Sequence, residues 1–131
     1  MEDVLAFARA LAPMPVVIAG TSREPLPAGA GVFDLLNKTT IPELIWLIRQ
    51  AAFVVSVDSG PMHIAAAITD RLLSIHTWSD PRCVGPFRPE AWVLKRGELC
   101  QVRDLANEGE RITLGNATEI AGWVRARTAL P

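Results

Sequence analysis

Asp58-Ser59-Gly60-Pro61-Met62-His63 places a carboxylate, a hydroxyl, a glycine and an imidazole in one short run. The order suits holding an anion better than covalent chemistry. Val54, Val55 and Val57 read as a buried strand that ends at Asp58, and Met62 to Ala67 read as helix. Pro61 suits the first helical position, where its missing N–H costs nothing. Gly60 can take a positive φ or let a ligand approach the backbone closely. The unpaired N–H groups of the first helical turn and the positive end of the helix dipole would then face a ligand at the end of the strand. His63 lies in that turn and can add a hydrogen bond or a charge. Asp58 would repel a phosphate, so it either holds the turn by accepting backbone N–H groups or binds a neutral hydroxyl. On spacing alone a plainer reading stands beside this one, in which Asp58 or Ser59 caps the helix and His63 is a satisfied, partly buried ring. A Ser-His-Asp hydrolase ranks third, because Ser59 and His63 share one element and no Gly-x-Ser-x-Gly elbow is present. The dinucleotide glycine fingerprint and the Walker loop are also absent.

The elements that must position this run follow from periodicity. Val4, Leu5, Ala8, Leu11 and Ala12 define an amphipathic first helix with Asp3 as its N-cap, ended by Pro13. Residues 15–20 form a short apolar strand, 21–31 a loop rich in proline and glycine, and 32–36 a second strand. Thr40 and Glu43 have capping-box spacing with Pro42 in the first turn, and Ile41, Leu44, Ile45, Ile48 and Ala52 continue at helical period. Residues 53–57 are a third strand, 61–68 a third helix and 71–75 a fourth strand, followed by an irregular stretch over 76–90. Trp92 to Val102 reads as strand, tight turn at Arg96-Gly97, and strand. A last helix over 117–127 buries Ile120, Trp123 and Val124, with Asn116 as its cap. Strands alternate with helices and are apolar on both faces. That pattern predicts an α/β fold with a parallel sheet covered on both sides, whose ligands bind beyond the carboxyl ends of the strands.

Composition narrows the function. The chain has 131 residues, half of them hydrophobic, with 13 Lys and Arg against 14 Asp and Glu for a net charge of −1. The basic residues are scattered, which argues against a nucleic-acid partner. No apolar run reaches the roughly 18 residues needed to span a bilayer. The N-terminus opens Met-Glu-Asp, without the basic region of a signal peptide. Cys83 and Cys100 are far apart, and two histidines make a zinc site improbable, so no metal is expected and a reduced, cytoplasmic setting fits.

The stretch from Leu35 through Ala67, "LLNKTTIPELIWLIRQAAFVVSVDSGPMHIAAA" with "SDPRCVGPF" beyond it, resembles the C-terminal half of glycosyltransferase family 9, the ADP-heptose:lipopolysaccharide heptosyltransferases and their relatives. The resemblance implies a Rossmann-like three-layer parallel sheet, the nucleotide-sugar (donor) binding half of a GT-B fold, with residues 1–131 as a single partial domain. It implies inverting, metal-independent transfer with no cofactor. The donor would be ADP-heptose or another nucleoside-diphosphate sugar, and the acceptor would be of lipopolysaccharide type. Carried over, Asp58, Ser59, Gly60, Pro61, Met62 and His63 meet the donor and its diphosphate. Lys38 and Thr39 line the nucleotide pocket, Ser79 and Asp80 belong to a further donor loop, and Glu24 falls near the nucleotide. No catalytic residue is expected in this half, because the general base belongs to the N-terminal acceptor domain. The resemblance places such a protein in the cytoplasm or at the inner face of the cytoplasmic membrane, as a peripheral protein.

Departures from the family pattern bear on the site. Thr69-Asp70-Arg71 stand where the family has Gly-Thr-Pro, and His76-Thr77-Trp78-Ser79 where it has Phe-Gly-Pro-Thr. Trp78 reads either as an aromatic platform for a base or sugar or as a core or interdomain tryptophan. The opening, central strand of the domain has no counterpart, which leaves 16–19 and 54–57 as expected unpaired edges. Those edges would pair with each other or with another chain. The rival reading is a non-catalytic nucleotide- or sugar-binding remnant, or a structural domain, and upstream coding sequence would discriminate.

Overall fold

A computed structural model describes residues 2–26, 29, 31–107, 109 and 111–128. The chain divides into two units, Met1–Leu44 with Gly115–Pro131, and Ile45–Leu114.

The first unit holds α1 (Glu2–Leu11), β1 (Val16–Gly20), β2 (Val32–Leu36), the start of α2 (Ile41–Gln50) and the last helix, Ala117–Thr128. α1 buries Leu5, Ala8 and Leu11, the face its spacing predicts, and packs against the last helix, which buries Ala121, Trp123 and Val124. Arg125 ties the two together by donating to the carbonyls of Ala10 and Ala12. The Arg127 guanidinium lies 3.8 Å from the Trp123 ring centroid, a cation–π contact. Asn116 caps the last helix as expected, its Oδ1 accepting from Glu119 N at 2.9 Å. Two expectations fail here. Asp3 is not the N-cap of α1, since the helix already includes Glu2, and Ile120 is half-buried while Ala121 takes the core position.

β1 and β2 pair in parallel from Val16↔Val32 to Gly20↔Leu36. The loop between them is irregular where described, and its residues 27, 28 and 30 lie outside the described set. Thr40 and Glu43 close the predicted capping box. Glu43 Oε1 accepts from Thr40 N at 2.9 Å, and Thr40 Oγ1 from Glu43 N at 3.3 Å. These hydrogen bonds hold the Glu43 carboxyl below its usual range. Of the predicted apolar face of α2, Leu44 and Ile48 are buried. Ile41 is 61% exposed, and Ala52 lies beyond the helix, exposed.

The second unit carries β3 (Val54–Val57), α3 (Gly60–Ile68), β4 (Leu72–His76), the one-turn helix α4 (Pro81–Val84), β5 (Trp92–Lys95), β6 (Glu98–Gln101) and β7 (Ile112–Thr113); the last helix of the chain is thus α5. Its sheet has the order β3-β4-β5-β6-β7. β3, β4 and β5 run parallel, whereas β5-β6 and β6-β7 are antiparallel. The wholly parallel sheet expected from sequence is therefore corrected to a mixed one. The turn at Arg96-Gly97 is the reason, since both residues take positive φ (52° and 77°) and a two-residue turn of that kind reverses the chain. α4 falls in the stretch read as irregular, and β7 where no element was assigned from sequence.

Met62, Ala65 and Ala66 of α3 are buried with Leu72 and Leu73 of β4, Val93 and Leu94 of β5, and Leu99 and Cys100 of β6. α3 packs on β3 and β4. Coverage on both faces holds for β4 but not for β1, β2 or β3, whose residues are half-buried or exposed. Among the described residues β1 pairs only with β2, and β3 only with β4, so the two expected edges are not paired with each other.

The capping box gives a test of local stability. Thr40→Ala removes one of its two hydrogen bonds and should lower the unfolding free energy by about 1 kcal/mol in urea titrations, with the secondary structure unchanged by circular dichroism.

Candidate functional site

The parallel register fixes what gathers at the carboxyl edge of the second sheet. Val57 pairs with Ile75 and His76 with Lys95, so Asp58, His76 and Lys95 fall level on three adjacent strands. The turn after β3 leads directly into α3. Ser59 is the N-cap residue, with extended φ and ψ of −163° and 172°, yet no side chain caps the helix. Its hydroxyl turns back to donate to the Val57 carbonyl at 3.2 Å and lies 3.5 Å from Ser56 Oγ. The plainer reading, in which Asp58 or Ser59 caps α3, is thereby overturned. The expectation that Asp58 secures the turn fails as well, since among the described residues its carboxylate accepts no backbone N–H. The N–H groups of Ser59, Gly60 and Met62 precede the first intrahelical bond and have no acceptor upstream, whereas His63 is the first position whose N–H is directed at the Ser59 carbonyl. Pro61, at the second helical position, contributes no N–H, and the Met62 side chain is wholly buried, so that residue offers only its backbone. His63 is exposed and Asp58 half-buried.

Gly60 does not take a positive φ, and a Cβ built there would meet no atom within 4 Å. The fold does not require glycine at this position.

Beside this turn lies a buried polar chain. His76 is 2% exposed; its Nε2 is 2.7 Å from Ser74 Oγ and its Nδ1 2.9 Å from Ser79 Oγ. Lys95 Nζ donates to the Ser79 carbonyl at 2.8 Å, so Ser79 is held from both sides. Burial pushes the imidazole below its ordinary value of 6.5. Lys95 and His63 push the same way, while Asp58 and Asp80 oppose. Asp80 caps α4, accepting from Arg82 N at 2.9 Å, and pairs with the Arg82 guanidinium at 3.0 Å. Those hydrogen bonds to Arg82 lower its carboxyl. The Ser79 and Asp80 side chains are thus engaged within their own loop. On the other side of Asp80 an open cleft of about 270 Å³ is lined by Arg82, Lys95, Arg96, Glu98 and Arg111 among others, and residues 58–63 take no part in it.

Glu24, Lys38 and Thr39 belong to the first unit, in the loops after β1 and β2. Asn37, with φ of 60°, joins those loops. Its Oδ1 accepts from Ser22 N at 3.0 Å and its Nδ2 donates to the Ser22 carbonyl at 2.8 Å. Glu24 N donates to Ser22 Oγ, and Lys38 Nζ donates to the Asp34 carbonyl at 3.2 Å. The structure therefore brings Glu24 and Lys38 onto neighbouring loops of one unit, and residues 58–63 and 79–80 onto neighbouring loops of the other. Sequence reasoning missed Asn37, Ser74, His76 and Lys95. Ser74 and His76 carried a signal, since two polar residues at strand spacing share one face of an otherwise apolar run.

The sequence profile described as glycosyltransferase family 9 (heptosyltransferase) matches residues 18–108. The chain belongs to glycosyltransferase family 9. Among curated relatives, lipooligosaccharide heptosyltransferase 2 of Haemophilus influenzae is 35% identical over 91 residues, covering 66% of this chain and 26% of the relative. Lipopolysaccharide heptosyltransferase 3 of Escherichia coli is 45% identical over 49 residues, covering 37% of this chain and 14% of the relative. The chain thus spans only a minor part of the length of these family 9 relatives. No solved structure matches significantly. A mixed, parallel-rich α/β sheet agrees with a Rossmann-like half of such an enzyme. Among the described residues no cluster of His, Cys, Asp and Glu could hold a metal, and no helix is long and apolar enough to cross a membrane.

The His76 chain predicts a pH effect on stability. Because the folded-state value lies below the ordinary one, the unfolded chain takes up the proton first, and the contribution is complete above about 6.5 and lost as the pH falls through it. The urea midpoint of the wild type should drop between about pH 7.5 and about pH 5.5. His76→Gln keeps a donor and an acceptor without titrating, and should drop less over the same interval.

Proposed function

We propose that this chain is the donor-binding part of a glycosyltransferase that moves a sugar, by family resemblance a heptose, from a nucleoside diphosphate to a lipopolysaccharide-type acceptor. The observation that carries the reading is the start of α3, where backbone donors stand at the end of β3 with no side-chain cap among the described residues. A diphosphate is the ligand for which such a site is complementary.

In the reaction, an acceptor hydroxyl attacks the anomeric carbon, the bond to the diphosphate oxygen breaks, and the nucleoside diphosphate departs with the bonding pair. Negative charge grows on the β-phosphate as that bond lengthens. The amides of Gly60 and Met62 are fixed before the reaction begins, so they stabilise this charge without reorganising. His63, exposed beside them, donates to a phosphate oxygen. Asp58 is level with the same edge but repels phosphate, so its role is to accept from a sugar hydroxyl. Asn37 sets the loops of Glu24, Lys38 and Thr39 for the nucleotide end. The base that deprotonates the acceptor hydroxyl and the acceptor domain that carries it are supplied from outside these residues. The setting is the cytoplasm or the inner face of the cytoplasmic membrane.

Two outcomes are expected. Titrating ADP should shift the amide resonances of Gly60, Met62 and His63, and Gly60→Ala should keep the stability of the fold while weakening ADP at least about tenfold; shifts confined to other residues would sink the reading. The chain on its own should show no turnover of ADP-heptose with a lipopolysaccharide acceptor, because general-base assistance alone is worth about 10² to 10⁴ in rate.

A further inference from the structure

We propose that Trp78 is the surface against which the sugar ring of the donor rests. The inference builds on the donor-site reading and assigns the part of the ligand that the anion turn does not reach. Trp78 is 88% exposed, which removes it from the core. A large apolar ring in water is unremarkable on a mobile loop, but this loop is anchored. The residue after Trp78, Ser79, is fixed through its hydroxyl to buried His76 and through its carbonyl to Lys95 at 2.8 Å. Asp80 then caps α4. On the other side Thr77 follows the last residue of β4 directly. The indole therefore projects from backbone secured on both flanks, and binding against it forfeits little loop entropy.

Its place in the sheet selects the ligand. Trp78 follows β4, the parallel neighbour of β3, so its loop and the anion turn leave the same edge one strand spacing, about 4.8 Å, apart. With the diphosphate at the turn after β3, the sugar bonded to it is the portion that falls to the next loop along the same edge, after β4. A pyranose ring presents an apolar C–H face with hydroxyls at its rim, which matches an indole face with an N–H at its edge. Asp58, half-buried at the same edge, is available to a rim hydroxyl. The family pattern carries proline where Trp78 stands, so the platform is a property of this chain.

The test compares ADP with ADP-glucose by calorimetric titration of the whole chain, its Trp78→Ala variant and its Trp78→Phe variant. Wild type should bind ADP-glucose more tightly than ADP. Trp78→Ala should lose that advantage by about 2- to 10-fold while its ADP affinity stays within about twofold of wild type, and Trp78→Phe should keep most of it. An unchanged circular dichroism spectrum is expected, because the side chain supports no core contact. Equal weakening of both nucleotides would assign the indole to the base and overturn the proposal. So would a wild type with no preference for the sugar nucleotide, or a Trp78→Ala variant that retains it. Failure of ADP itself to bind wild type, or binding that leaves residues 58–63 unshifted, would overturn the donor-site reading beneath it and is read separately.

Discussion

Parallel pairing of β3, β4 and β5 is the constraint from which the site follows. Parallel strands put all their carboxyl ends on one edge, and a register of Val57 to Ile75 and His76 to Lys95 sets Asp58, His76 and Lys95 in one row there. A slip of a single residue would turn the hydrogen-bonded pair Ser74 and His76 to the opposite face, out of the surroundings that now bury both. Leu72 and Leu73, both fully buried, would exchange faces in the same slip.

Charge at this edge is arranged unevenly. The Ser79 loop gains rigidity from a buried imidazole whose neutral form burial favours, while the Lys95 ammonium bonds the Ser79 carbonyl. Asp80 is compensated by Arg82. Asp58 and His63, by contrast, have no side-chain partner among the described residues, although such groups in a folded loop commonly find one. The side chains that shape the edge are engaged with each other, and those that face outward are left open.

Much of this was legible in the sequence where the signal is local. The capping box of Thr40 and Glu43, the Arg96-Gly97 turn and the Asn116 cap depend on neighbours within four residues, and each forms as read. The strand-turn-helix around Asp58 was legible for the same reason. What failed depends on distance or on a rotamer. Whether Ser59 caps α3 or turns back to Val57 is a choice of one dihedral angle that no spacing encodes. The Ser74–His76–Ser79 chain requires a strand and the loop beyond it to fold over one ring. The mixed sheet was implied by the predicted hairpin itself, since a two-residue turn forces its strands antiparallel, and the parallel pattern of the earlier strands masked that implication. Asn37 went unseen because its left-handed conformation matters only once the loop carrying Ser22 arrives beside it.

The packing of α1 on α5 orders events during synthesis. The unit spanning Ile45–Leu114 is contiguous and can close as soon as its last strand leaves the ribosome, but the other unit joins the first residues of the chain to the last. Leu5, Ala8 and Leu11 must wait, unburied, until Trp123 and Val124 emerge more than a hundred residues later, so the nascent chain exposes an apolar helix face while the whole intervening length is made. A chaperone that recognises such faces would have a long opportunity at α1, and a premature stop before α5 would leave the face permanently uncovered.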